Sequence, residues 1–178
     1  MDIILKRSIE WLDRLIAFDT TSRLSNLDLI SDIEKYMNEL GVPTRLTHDK
    51  DKTKANLWCT IGPQDIGGVV LSGHTDVVPI DGQEWTKTPF KMSEQSGKLF
   101  GRGTSDMKGF CAIALAMAPE MKSRDLKVPI HFAFSFDEEV GCVGVRHLIK
   151  DVVDNLPLPR AVIVCLLYTS PSPRDTIR

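Results

Sequence analysis

Three short runs hold the residues best suited to chemistry: Ser72-Gly73-His74-Thr75-Asp76, Gly101-Arg102-Gly103-Thr104-Ser105-Asp106 and Asp137-Glu138-Glu139. Together they offer one imidazole and several carboxylates. Hard oxygen donors with a single imidazole suit zinc, cobalt or manganese rather than an iron–sulfur or thiolate site. A carboxylate can be shared by two cations about 3.5 Å apart, as two-metal hydrolases require. Asp106 is the best candidate for that bridge, because its flanking glycines let backbone and cation approach closely. Asp76 stands two residues after His74 and reads as an orienting group. A carboxylate on the second ring nitrogen of a ligand histidine fixes its tautomer and raises its basicity. Glu138 and Glu139 are adjacent, so their side chains point in different directions. That suits one ligand and one general base, acting on a water whose pKa the metal lowers towards about 7.

Each run alone is a weak signal, since single histidines at strand ends and acidic loops are common. The elements that must carry the runs strengthen it. Val69-Val70-Leu71 is an apolar run without alternation, as in a strand buried on both faces, and it delivers His74. Pro129 to Phe136, with Phe132, Phe134 and Phe136, reads as a second buried strand that delivers the acids. In an open parallel sheet, functional groups collect beyond the carboxyl ends of the strands, so both sites fall on one edge. Asp106 opens a helix over Met107 to Met121 that lies between them in the chain.

Apolar residues at helical spacing predict a first helix over Ile3 to Phe18. Ser25 or Asn26 caps a second helix that runs to about Leu40 and stops at Gly41. Short strands follow at Val42 to His48 and Asn56 to Ile61, then a structured loop from Thr75 to about Lys98 in which Trp85 and Phe90 are packing anchors. A helix near Val143 to Lys150 and a third main strand at Ala161 to Val164 complete the pattern. Strands separated by helices predict an α/β fold, a three-layer sandwich around a mostly parallel sheet. Lys108 reads as a solvent-facing residue at a helix start, and His48, His131 and His147 read as non-ligands.

The 178 residues carry a net charge of −2, with acids and bases mixed. No basic run points to nucleic acid, and no apolar stretch approaches the length of a membrane span. Cys59, Cys111, Cys142 and Cys165 are widely spaced without a Cys-x-x-Cys pair, so reduced thiols in a cytoplasmic protein are expected. A nucleotide-binding sheet protein is disfavoured, because Gly101 to Asp106 lacks the Gly-x-Gly-x-x-Gly spacing and no Walker lysine pattern is present.

Ser-Gly-His-Thr-Asp-Val-Val-Pro (Ser72 to Pro79), Gly-Arg-Gly-Thr-Ser-Asp-Met-Lys-Gly (Gly101 to Gly109) and Asp-Glu-Glu (Asp137 to Glu139) resemble the signatures of the zinc peptidase family of aminoacylases, acetylornithine deacetylases and carboxypeptidases. The resemblance covers roughly residues 1 to 164. Val-Pro-Ile-Asp-Gly-Gln-Glu-Trp and the Phe after Met-Lys-Gly look most like the acetylornithine deacetylase branch, and succinyl-diaminopimelate desuccinylases share most of the pattern. The resemblance implies two divalent metals, zinc with cobalt as an alternative. It implies His74 on one metal, Asp106 as the bridge, Glu139 on the other, Glu138 as general base and Asp76 orienting His74. It also implies a cis peptide between Asp106 and Met107. The implied activity is hydrolysis of the amide of a small N-acyl amino acid, N-acetylornithine first, in arginine biosynthesis.

The family places a further acidic ligand just past the third main strand, in a Gly-Glu-Pro context. Here Val164 is followed by Cys165-Leu166-Leu167-Tyr168. The family then continues through a dimerisation domain, absent here, to a last histidine ligand, and the full-length parent is expected to be a homodimer. Residues 1–164 are therefore expected to form the N-terminal part of a catalytic domain, with Cys165 to Arg178 a non-native or disordered tail. This chain is itself expected to be an incomplete and inactive fragment of such an amidohydrolase, and a non-catalytic metal-binding fragment is the competing expectation.

Overall fold

The computed structural model describes residues 2–165. Helix α1 (Ile3–Ile16) starts where Asp2 accepts the Ile4 N–H at 3.0 Å. It buries Trp11, Leu12, Leu15 and Ile16. Helix α2 (Leu27–Glu39) buries Leu29, Ile30, Ile33 and Met37, one stripe of a 3.6-residue period. It ends as Gly41 predicts. Gly41 takes φ +67°, its N–H reaches Asn38 O, and Val42 N–H reaches Met37 O, the paired bonds of a left-handed helix stop.

Five strands form one sheet in the order β1 (Thr44–His48), β2 (Ala55–Ile61), β6 (Ile130–Ser135), β3 (Val69–His74), β7 (Ala161–Val164). Strands β6, β3 and β7 are parallel, whereas β2 runs antiparallel to both β1 and β6. The sheet is thus mixed, with β2 alone reversed. Ala55, Leu57, Cys59 and Ile61 of β2 join Phe132 and Phe134 of β6 against α1, α2 and α3 (Lys108–Lys122). Trp58, Val70 and Ala133 face the other way, against Leu148 and Val152 of α4 (Val143–Asn155). Those are the three expected layers. Strand β7 is exposed along its length at the sheet edge. Among the described residues, no helix is long and apolar enough to cross a membrane.

The Thr75–Lys98 stretch leads into a small hairpin that runs on to Phe100, where the sequence reads as a loop. Strands β4 (Ser93–Gln95) and β5 (Lys98–Phe100) pair antiparallel around Ser96 and Gly97, at φ +53° and +71°. Both turn residues need positive φ, which a two-residue loop of this hand demands. Of the expected tail, only Cys165 lies within the described residues.

Two close approaches set where the site forms. A Cβ on Gly73 would stand 2.7 Å from Cys111 Sγ, so a side chain there would push α3 off the end of β3. Asn26 occupies the α2 cap position but makes no capping bond with its side chain. Its amide spans Ala55 O at 2.9 Å, Ala55 N at 3.0 Å and Thr75 Oγ1 at 3.0 Å, tying α2, β2 and the end of β3 together. Ser25 Oγ accepts the Leu27 N–H instead, at 3.1 Å.

Candidate metal centre

Strands β3 and β6 are parallel and in register, with His74 opposite Ser135. Their carboxyl ends therefore place His74 beside the Asp137–Glu139 turn. The α3 start brings in Asp106, and the Asp106–Met107 peptide is cis as the family resemblance implies. Gly103, at φ +86°, packs so tightly that a Cβ would lie 2.9 Å from Val77 Cγ1.

His74, Asp106 and Glu139 converge, with one ligand atom from each within 4.8 Å of the other two. His74 is buried, Glu139 half-buried and Asp106 exposed. His74 Nε2 lies 3.1 Å from Asp106 Oδ1 and 3.8 Å from Glu138 Oε2. An imidazole and two carboxylates this close, beside a third carboxylate, form a donor set that fits a hard or borderline divalent cation. The cleft beside them, about 300 Å³, is lined by Val78, Arg102, Gly103, Asp106 and Glu139.

Asp76 acts differently from the expectation that its carboxylate would be the partner of His74. The ring Nδ1 meets the Asp76 backbone carbonyl at 2.9 Å, with the carboxylate behind it at 3.4 Å. The carboxylate itself accepts the Ser22 hydroxyl at 2.7 Å, Glu138 N–H at 3.0 Å and Glu139 N–H at 3.2 Å. Asp76 thus orients the histidine mainly with its main chain and holds the acidic turn with its side chain. Burial pushes its carboxyl pKa up, but the His74 ring beside it and the bonds from Ser22 and Glu138 outweigh this and hold it below the ordinary value.

Burial pushes the His74 imidazole down, yet Asp76, with help from Glu138, holds its pKa up at about 9. Glu139 is raised by burial first and by the neighbouring Asp106 next. Without a cation, a proton on His74 offsets the gathered negative charge. That proton stabilises the metal-free fold fully below the unfolded value near 6.5 and ceases to do so as pH rises through about 9. A cation on His74 must displace it. Apparent zinc affinity is therefore expected to climb roughly tenfold per pH unit from about pH 7 towards 9 and then level off, since one proton is exchanged per ion. Calorimetric titration in buffers of differing ionisation enthalpy reads the proton count, and a flat profile would contradict it.

Lys108 does not face solvent as the sequence suggested. It is 1% exposed, and its Nζ donates to Leu15 O at 3.0 Å and Phe18 O at 2.8 Å. It clasps the C-terminal end of α1 and the chain just past it, where the carbonyls carry partial negative charge. Burial pushes its pKa down to about 8. His131 is buried under Trp58 with Nδ1 2.9 Å from Thr60 Oγ1, away from the cluster. Among the described residues, neither His48 nor His147 joins the metal-competent group.

Residues 70–178 match the peptidase family M20/M25/M40. The chain belongs to that family. It is 39% identical over 124 residues to an acetylornithine deacetylase of Shigella sonnei (strain Ss046), a stretch covering 69% of this chain and 32% of that protein. An M20 family metallo-carboxypeptidase of Sulfolobus solfataricus superposes with a TM-score of 0.70 at 23% identity, over 92% of this chain and 37% of that one. A Bacillus subtilis M20 protein, YXEP, described as a dinuclear metal binding peptidase, superposes with a TM-score of 0.58 at 22% identity, over 86% of this chain and 41% of that one. The chain spans about a third of the length of the deacetylase it matches. The clustered donors lie in the fold shared with these metallopeptidases.

Proposed function

We propose that residues 1–164 are the metal-binding part of a two-metal amidohydrolase acting on N-acyl amino acids, first of all N-acetylornithine, with ornithine and acetate as products. The observation that carries this is the convergence of His74, Asp106 and Glu139, drawn from three separate segments, with Glu138 against the same histidine. The identity to the Shigella sonnei deacetylase supports the choice of substrate, and a place in cytoplasmic arginine biosynthesis goes with it. Zinc fits the donor set, and cobalt fits it equally. The tail from Cys165 is proposed to lie outside the catalytic unit.

In this reading His74, Asp106 and Glu139 would hold two divalent cations, with His74 and Glu139 each serving one of them and Asp106 shared. Bound divalent cations supply Lewis acidity towards the acyl carbonyl and acidify water. His74 enters as the neutral imidazole, its tautomer set by Nδ1–H donating to the Asp76 carbonyl. Glu138 takes the proton of the attacking water and returns it to the leaving amine. Its N–H is fixed by Asp76, so its carboxylate is presented from a defined point. The cleft beside Asp106 and Glu139 receives the acyl group.

The test uses zinc- or cobalt-loaded polypeptide of the relatives' length carrying residues 1–164, assayed for ornithine release from N-acetylornithine and for amine release from N-succinyl-diaminopimelate. Preferential turnover of N-acetylornithine supports the proposal. Preference for the succinyl substrate reassigns the substrate, and binding of metal without hydrolysis of either reduces the chain to a metal-binding module.

A further inference from the structure

The turn that carries Glu138 and Glu139 is gripped by groups outside the metal-competent set. Lys54, just ahead of β2, places Nζ 2.6 Å and 2.7 Å from the two carboxylate oxygens of Asp137. The same ammonium donates to Ser22 O. The two side chains are only 14% and 15% exposed, so the pair is largely shielded from water. Asp137 takes φ +54°, a left-handed conformation that a non-glycine residue keeps when its surroundings impose it.

Ser22 links this pair to the other side of the turn. Its carbonyl accepts from Lys54, while its hydroxyl donates to Asp76, which in turn accepts the N–H groups of Glu138 and Glu139. Three successive residues are thereby held, Asp137 by its side chain and the two glutamates by their main chain. Ser22 is itself fixed, because its N–H donates to Val77 O at 3.2 Å and Val77 N–H donates to Thr20 O at 3.1 Å. A shielded ion pair adds little net stability, since desolvation offsets the attraction. Its location at a strained residue next to two functional acids points instead to geometry.

We propose that Lys54 is a positioning residue of the metal centre, which sets the direction of Glu138 and Glu139 through Asp137 and Ser22. This rests on the metal-binding reading above. The cluster of Asp106, Glu138 and Glu139 is self-repelling without a cation, and the Lys54 clamp keeps the turn from swinging its acids out to solvent.

The test is titration of the 178-residue chain with cobalt(II), followed by calorimetry and by the visible spectrum of the bound ion. Lys54→Met is expected to weaken cobalt binding about 10- to 100-fold, the range seen on losing an outer-shell support, and to alter the spectrum. Lys54→Arg is expected to keep most of the affinity, because a guanidinium can also bridge a carboxylate. If Lys54→Met alone fails to fold with Asp137 left uncompensated, the double variant Lys54→Met/Asp137→Asn removes both charges and is read in the same way. Wild-type affinity and spectrum in the neutralised variants would overturn the proposal while leaving the metal reading intact. A wild-type chain that binds no cobalt would overturn the metal reading, and the role of Lys54 with it.

Discussion

Replacing His74 with alanine is expected to remove measurable zinc binding from the 178-residue chain. Losing an outer-shell partner of a metal site costs about 10–100-fold in affinity, and losing a ligand should exceed that. His74 is 2% exposed and held through Nδ1, so it is a preorganised donor. Of the two carboxylates that remain, Asp106 is exposed and stays well solvated without the cation. The substitution also leaves Asp76 and Asp106 without their shared imidazole partner. His74→Gln, which refills the space without an imidazole, should likewise bind weakly. Calorimetry with zinc decides the matter, and wild-type affinity in both variants would end the case for a metal centre at this edge.

Glu138→Gln is expected to lower amide hydrolysis about 10²- to 10⁴-fold while zinc binding changes little, because general base catalysis contributes that much. The amide keeps the size of the side chain and the N–H that Asp76 accepts, so the turn should stay in place. Only the proton acceptor is lost. Steady-state rates on metal-loaded polypeptide of the relatives' length, with metal content measured alongside, separate the two effects. Full turnover with glutamine at this position would remove Glu138 from the role of base. Loss of metal together with activity would make it a ligand instead.

Much of the frame was legible because it rests on local patterns. The apolar stripe of α2 and its glycine stop follow from helical period and from the need for positive φ after the last turn. The buried strands β3 and β6 showed as short apolar runs, and each ends in the polar residues that matter. Their parallel pairing brings His74 and the acidic turn to one edge, as expected of open α/β sheets. The reversed direction of β2 was not legible, since a strand buried on both faces reads the same in either direction. The β4–β5 hairpin was missed although its Ser96-Gly97 turn was a usable signal.

Supporting residues were a different matter. Ser22 and Lys54 lie in polar stretches outside every motif, and Lys108 reads as a solvated helix start. Each is placed by partners far along the chain: Lys54 by Asp137, Lys108 by the carbonyls of Leu15 and Phe18, Ser22 by Asp76. A charged side chain is buried only where such partners exist, and nothing local announces them.

By itself the sequence determined the donor types, their order and the strands that carry them, because residue chemistry and hydrophobic period are written position by position. Tertiary structure alone decided that Asp76 serves His74 through its carbonyl and the acidic turn through its carboxylate. It also decided that a lysine from beyond every motif grips that turn. Hydrogen-bond partners are chosen by distance in space, and chain folding sets those distances only when all the layers have packed.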